Sequence, residues 1–294
     1  MRTLLVGAGG VLGRRLLPRL AARGLPIRVL SRGGARPPLA DRVVIGDLLD
    51  AASLEVAVRD VDTIVHCAGA SLDPARWGDR ATFDTVDHLG TVALARAARA
   101  AGVRRVLYVS VVAAGAAERT RYVQAHRRAE AALADAGFDV RFVRATGFFA
   151  SFAQLLPVAR LGVLPRLGAG TARTNPIHEA DLADACLRAL ESDCVLHEVG
   201  GPEVFTRRAL LDAIAEAAGG ARQLRVPAAL ALGAARAVRL AQPRVGDALA
   251  FLARVSVEDA VAPVAGRRRL GEYLRRMATG ESLLTGEFAT MRAE

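Results

Sequence analysis

Six short apolar runs punctuate the first half of the chain: RTLLV (residues 2–6), IRVLS (27–31), RVVIG (42–46), DTIVHC (62–67), VRRVLYVS (103–110) and FDVRFVR (138–144). They are nearly continuous rather than alternating, which is how strands read when both faces of their sheet are covered. Between them, apolar residues recur at three- and four-residue spacing and predict helices over Val11–Arg23, Ala51–Arg59, Thr82–Ala101 and Thr120–Ala136. Gly24, Gly102 and Gly137 follow three of these stretches, where a helix end commonly needs a left-handed residue. Repeated strand–helix–strand units give an α/β fold with a doubly wound parallel sheet.

Beyond Arg144 the rhythm changes. The stretch LPVARLGVLPRLGAGTARTNPIHEADL (156–182) is rich in Pro and Gly and reads mostly as loop. A helix over Ala180–Leu190, a strand at VLHEVG (195–200), a helix over Arg207–Ala218 and further helical segments from Pro227 to Val255 follow. No low-complexity linker and no internal repeat separates the halves. The expected organisation is a doubly wound domain over 1–150, with 151–294 completing the sheet edge and forming a small, mostly helical lobe. Such folds bind small molecules at that carboxyl edge.

Composition narrows the class. The chain is 52% hydrophobic but only 4% aromatic, which favours helices on a Val-rich sheet over an aromatic-rich sandwich. The net charge is +10, and every basic residue is arginine. These arginines are scattered, with no basic tail, Cys/His finger or aromatic-interleaved basic stretch, so a nucleic-acid partner is not expected. Their specific use is expected to be an acidic ligand such as a phosphate. Cys67, Cys186 and Cys194 lack metal-ligand or redox spacing, so no metal is expected, and a reducing cytoplasmic setting is. The opening MRTLLVGAGG enters a strand at once, without the features of a signal peptide. VPAALALGAA, closed by Arg225 and Arg236, falls short of the ~20 residues of a membrane span and reads as a packed helix in preference to one lying on a membrane surface.

Residues 5–15, LVGAGGVLGRR, set Gly7, Gly10 and Gly13 between a strand and a helix. Glycines at that spacing let a pyrophosphate approach backbone N–H groups at the helix start, where a Cβ would collide with it. Gly9, Val11, Leu12 and Arg14 belong to the same loop. An NAD-selective fold of this kind ends its second strand in an acid that holds the ribose 2′-hydroxyl. Here that place holds Ser31 and Arg32, and an arginine pairs with the 2′-phosphate of NADP. NADP(H) is therefore the expected cofactor ahead of NAD(H); the alternative for Arg32 is an exposed loop charge.

The glycine loop, GDLLD with Asp47, HCAGA (66–70), YVSVV (108–112), the helix carrying Tyr122, RATGFF (144–149), NPIHEADL (175–182) and, more loosely, GGPEVFT (200–206) occur in the order found in one superfamily. Together they resemble the atypical and extended short-chain dehydrogenases/reductases of the NmrA-like type, NAD(P)-binding proteins with a Rossmann fold. The resemblance implies that Asp47 and Leu48 flank the adenine, and that Cys67, Ala68 and Gly69 line the adenosine ribose and phosphate. Bland readings stand beside these: Asp47 as a helix cap, 67–69 as a small-residue turn, Asp181 as a helix-start residue. The resemblance also implies a tyrosine proton donor, a serine on the carbonyl and a lysine one helical turn after the tyrosine. Tyr122 and Ser110 match, but the lysine's place holds His126. A histidine there either orients the ribose, acts as an acid, or simply covers the sheet edge.

The expected function is reduction, with NADPH, of a small carbonyl, enone or quinone-like substrate. Ser110, Tyr122 and His126 would form the catalytic group, and Phe148, Phe149, Pro176 and His178 would close the substrate pocket. Resemblance to reductases of carbon–carbon double bonds leaves open a hydride transfer that does not use Tyr122. The rival expectation is a non-enzymatic NADP(H)-binding redox sensor or assembly protein. Sequence alone leaves the substrate and the oligomeric state open.

Overall fold

The computed structural model describes residues 2–33, 37–73, 78 and 81–280. Its first half runs β1 (Thr3–Val6), α1 (Gly13–Ala21), β2 (Ile27–Ser31), β3 (Arg42–Ile45), α2 (Ala51–Val58), β4 (Thr63–His66), α3 (Gly90–Ala100), β5 (Arg105–Val111), α4 (Arg121–Asp135) and β6 (Asp139–Ala145). The second half adds α5 (Phe149–Ala153), α6 (Leu156–Ala159), β7 (Val163–Leu167), β8 (Arg173–Thr174), α7 (Glu179–Glu191), β9 (Leu196–Val199), β10 (Phe205–Thr206), α8 (Arg207–Ala217), β11 (Arg222–Val226), α9 (Ala228–Ala241), α10 (Pro243–Val255) and α11 (Leu270–Ala278).

Seven strands form one sheet in the order β3-β2-β1-β4-β5-β6-β9, and every pairing in it is parallel. Thr3 lies in register with both Ile27 and Thr63, so β1 is an interior strand between β2 and β4. The chain winds outward from β1 through β2 and β3, then returns to its other side with β4. The crevice at that reversal is where this topology receives a ligand. The sheet is completed from the second half, by β9 beside β6 and by α7 on one face.

Both faces are covered, as the continuous apolar strands require. On one side Leu16 and Leu20 of α1 and Leu182 and Leu190 of α7 pack against Leu5, Val65 and Leu107. On the other, Leu54, Leu94 and Leu133 from α2, α3 and α4 pack against Leu4, Ile64 and Val106. Each such side chain contributes roughly 1.5–3 kcal/mol by leaving water.

Residues 84–89 depart from the predicted helix over 82–101: they form a π-helical turn, closed by the Gly90 N–H donating to Thr85 O, before α3 begins. Residues 156–178, expected as loop, instead contain α6, β7 and β8. Pro165 breaks the pattern of β7, and β7 and β8 each pair with a later segment, β11 and β10. Their partners lie too far along the chain for local periodicity to reveal. A third core joins Phe149, Leu164, Leu210, Ile214, Leu270, Tyr273 and Leu274. The helical segments expected from 227 to 255 are two helices, α9 and α10, which meet at Gln242.

Candidate functional site

At the carboxyl end of β1 the glycine loop meets the end of β4. Gly7 has φ 101°, and a Cβ there would stand 2.6 Å from the Ala68 nitrogen. A Cβ on Gly13 would stand 2.0 Å from Gly7 O. These two glycines are therefore demanded by the protein's own backbone. Gly10 is different: its Cβ would meet only Gly7 O, at 3.4 Å, and one on Gly9 would meet nothing within 4 Å. The Gly10 N–H turns back to Gly7 O at 3.0 Å, while those of Val11 and Leu12 make no hydrogen bond among the described residues. Free N–H groups at a helix start, beside space kept clear by glycine, suit a pyrophosphate.

Around this cradle Arg14 is exposed and donates from Nε to Gly9 O at 3.1 Å. Arg32 is exposed just past β2, and no Asp or Glu occurs from Ser31 to Ala40. Asp47 accepts the Leu49 N–H at 2.9 Å, and it is Asp50, not Asp47, that caps α2 through the Ala52 N–H. Leu48 is buried against Gly90. The Cys67 thiol donates to Val6 O, and burial pushes its pKa up to about 12, so it is an inert packing group. A Cβ on Gly69 would stand 2.5 Å from Asp87 Oδ1, so this glycine makes room for a buried carboxyl.

Asp87 opens the second half of the site. It is 1% exposed, it accepts the Ala70 N–H at 3.1 Å through Oδ2, and its Oδ1 has no hydrogen-bond partner among the described residues. Oδ1 lies 3.6 Å from His126 Nε2, and His126 Nδ1 is 2.7 Å from the Tyr108 hydroxyl. Thr91 links this group to His66 through a 3.0 Å contact with His66 Nε2. Burial pushes the Asp87 carboxyl up to about 8 and the His126 imidazole down to about 4. At neutral pH both are uncharged. His126 therefore does not supply the cation that a lysine would.

Tyr122 and His126 do share a face of α4, with ring centroids 4.8 Å apart and nearly perpendicular planes. Phe83 and, from α10, Phe251 pack on the same phenol ring, at 5.0 and 4.6 Å. Burial, with Asp87 adding to it and Arg127 opposing it, holds the phenol well above the usual range. Ser110 is buried beneath Arg127, whose Nη1 donates to its hydroxyl at 3.4 Å. Arg127 also bonds Glu118, Glu130 and Val111 O, so it faces the sheet.

The sequence model of the NAD(P)H-binding family matches residues 7–193. The chain belongs to that family. Among relatives of this NAD(P)H-binding protein, the 3-diazoavenalumate denitrifying reductase of a Streptomyces species is 32% identical over 227 residues, covering 66% of this chain and 73% of that protein. NADH dehydrogenase (ubiquinone) 1 alpha subcomplex subunit 9 of Arabidopsis thaliana mitochondria is 27% identical over 226 residues, 70% of this chain and 55% of the relative. The chain thus spans only about half the length of that relative. A solved nucleoside-diphosphate-sugar epimerase from Staphylococcus aureus superposes with a TM-score of 0.75 at 17% identity, over 94% of this chain and all of that one. At that identity the likeness is one of fold. The family places the chain among NAD(P)H-binding proteins of the extended, NmrA-like short-chain dehydrogenase/reductase superfamily.

The residues expected to close a pocket are placed differently. Phe149, His178 and Tyr273 form a triad with centroids 5.3 to 5.5 Å apart, and Phe149 and His178 are 1% and 4% exposed. His178 Nδ1 accepts the Ala180 N–H and caps α7, and burial lowers its pKa to about 3. Both are core groups joining α5, α7 and α11; only Phe148 keeps exposed surface. Asp181 accepts the N–H groups of Arg267 and Arg268 at 2.8 and 2.9 Å and so docks the C-terminal segment. Sequence reasoning missed Asp87, yet a signal existed: 87, 91, 94 and 98 fall on one helical stripe, and a carboxyl sits at a core position of it. Away from the site, a cavity of about 350 Å³ at the amino edge of the sheet includes Arg28, which caps the α2 carbonyls of Val56 and Ala57. Among the described residues no cluster suits a metal ion, and no helix is long and apolar enough to cross a membrane.

Proposed function

We propose that the protein is an NADPH-dependent reductase of a small, apolar carbonyl, enone or quinone-like substrate. The observation that carries the reading is the open N–H cradle of Val11 and Leu12, with Arg32 where an NAD-selective protein carries an acid. Residues 1–150 hold the cofactor in this reading, and 151–294 complete the sheet and shape the substrate side. Bound NADPH supplies a hydride to the substrate.

The chain's own part is the proton. Because burial outweighs the pull of Arg127, the Tyr122 phenol stays protonated across the neutral range. An alkoxide formed when hydride reaches a carbonyl carbon is more basic than this phenolate, so the phenol can donate to it. The reverse reaction needs the phenolate as base, and at neutral pH that form is scarce. The site therefore favours reduction over alcohol oxidation. His126, neutral and bonded to Tyr108, orients rather than charges its surroundings, and Ser110 reaches a substrate only if Arg127 gives way.

The test is NADPH consumption against quinones, enones and aldehydes, with the corresponding alcohols and NADP in the opposite direction. Turnover that is equal in both directions at neutral pH would contradict the role given to Tyr122. A second reading, a non-enzymatic NADP(H) sensor or assembly protein, draws on the missing lysine, whose place one helical turn after Tyr122 holds the neutral His126. It requires unequal affinities for NADP and NADPH and no turnover of any acceptor in the panel.

A further inference from the structure

α9 differs from the other surface helices. α3 and α11 turn Arg96, Arg99, Glu272, Arg275 and Arg276 to solvent, as exposed helix faces do. The outward face of α9 carries Leu230 at 65% and Leu240 at 88% exposure, together with Gly233, Ala234, Ala237 and Ala241. At 100° per residue these positions and Arg236 span an arc of roughly 160°. Of the 14 residues of α9 only Ala235 is buried, and α10 packs along the inner side. The packed helix expected from the sequence is thus packed on one side only.

Charge completes the pattern. From Ala217 to Gly246 the chain holds Arg222, Arg225, Arg236, Arg239 and Arg244, and no Asp or Glu. Arg244 is fully buried, donating to the carbonyls of Ser71 and Asp73, and Arg239 pairs with the buried Asp247 at 2.8 Å. Arg222, Arg225 and Arg236 are exposed and pair with no carboxylate among the described residues. Leu224, 61% exposed, lies on β11, which leads through Pro227 straight into α9. An apolar face that carries Arg236, on a helix too short to span a bilayer and led into by a strand with the exposed Arg222 and Arg225, all without an acid, is complementary to an anionic membrane surface.

We propose that this face of α9, with Arg222, Arg225 and Arg236, docks the protein on an anionic lipid surface. Leu230 and Leu240 enter the acyl boundary and the arginines meet lipid phosphates. α10, on the inner side of the hairpin, carries Phe251 against Tyr122, so the docked helix is joined to the candidate site through one intervening helix. The proposal stands independently of the reaction assigned above.

The experiment is co-sedimentation of the full chain with vesicles of phosphatidylcholine alone and of phosphatidylcholine mixed with phosphatidylglycerol. The expected result is binding to the mixed vesicles that weakens with salt. The Leu230→Glu/Leu240→Glu double variant should bind at least about tenfold more weakly. Replacing the three arginines by Ser should remove the preference for anionic vesicles, at about fivefold per arginine and roughly a hundredfold in all. All five side chains are exposed, so thermal unfolding should be unchanged and a misfolded variant would be recognised. Absence of binding to either vesicle overturns the proposal. So does vesicle binding that both variants retain, or a concentration-dependent dimer, without vesicle binding, that the leucine variant dissolves.

Discussion

The glycine loop and the face of α4 lie on the same edge of one sheet, but they are built on different principles. The loop is made of backbone: two glycines are forced by contacts within the protein, and a third keeps a path clear toward free N–H groups. Nothing in it titrates. The face of α4 is made of side chains whose charges have been removed by burial, with Asp87, His126 and Tyr122 all shifted toward their neutral forms. A backbone cradle tolerates drift in the surrounding sequence, because its chemistry resides in the peptide. A proton-handling group does not, and replacing one lysine by histidine changes the charge of the whole corner.

The sharpest way to break the first region is Gly10→Val. Two lost charge-assisted contacts at ~1.5–3 kcal/mol each correspond to roughly a thousandfold loss of NADPH affinity. Circular dichroism should report an intact fold, since a Cβ there meets only Gly7 O at 3.4 Å. Affinity that survives in the folded variant would place the cofactor elsewhere.

The second region is sharpened by acid. His66, His126 and His178 are held at about 3, 4 and 3, below the usual 6.5. Each takes a proton in the unfolded chain before it does in the folded one, so their contribution is lost as pH falls below the unfolded value. Asp87 works in the opposite sense: at about 8, it holds its proton in the folded state where the unfolded carboxyl has lost it. Between pH 7 and pH 5 three histidines at about 2 kcal/mol each, less one aspartate at a little more, leave a net loss of about 3 kcal/mol. Asp87→Asn removes the offset, and the loss should grow to about 6 kcal/mol. Urea midpoints at the two pH values measure both, and equal slopes in the two proteins would refute the neutral pair.

Tyr122→Phe should lower turnover by ~10²-fold with NADPH affinity nearly unchanged. Full activity would remove the phenol from the reaction. His126→Lys should extend alcohol oxidation to lower pH, because a lysine stays charged where this histidine is not. Arg32→Ala comes last: it should erase a tenfold to hundredfold preference for NADPH over NADH, read from equilibrium binding of the two. An unmodified protein that binds both alike would leave Arg32 as a loop charge.

What could be read in advance follows the same divide. Five of the six strands of the first half were legible because burial on both faces makes them continuous, β3 at the sheet edge because its residues are β-branched, and the glycine loop because its spacing is local. β7, β8, β10 and β11 were not, being short and dependent on distant partners. Tyr122 and His126 could be placed on one face by counting along α4. That His126 would meet Asp87 and Tyr108 could not, since three separate elements supply those groups. Phe149 and His178 were expected as pocket walls; Tyr273 of α11, from the far end of the chain, packs on both and makes them core.

The last strand of the sheet also arrives late. The family match ends at residue 193, just before β9, yet β9 pairs with β6 over four residues from Phe142 to Ala145. While the protein is being made on a ribosome, β6 therefore emerges with an open edge, and it remains open until Val199 has been added. An unpaired edge is an invitation to pair with another nascent chain. The same holds for a gene fragment cut at residue 150 or 193, which would express the nucleotide-binding half with its border unsealed.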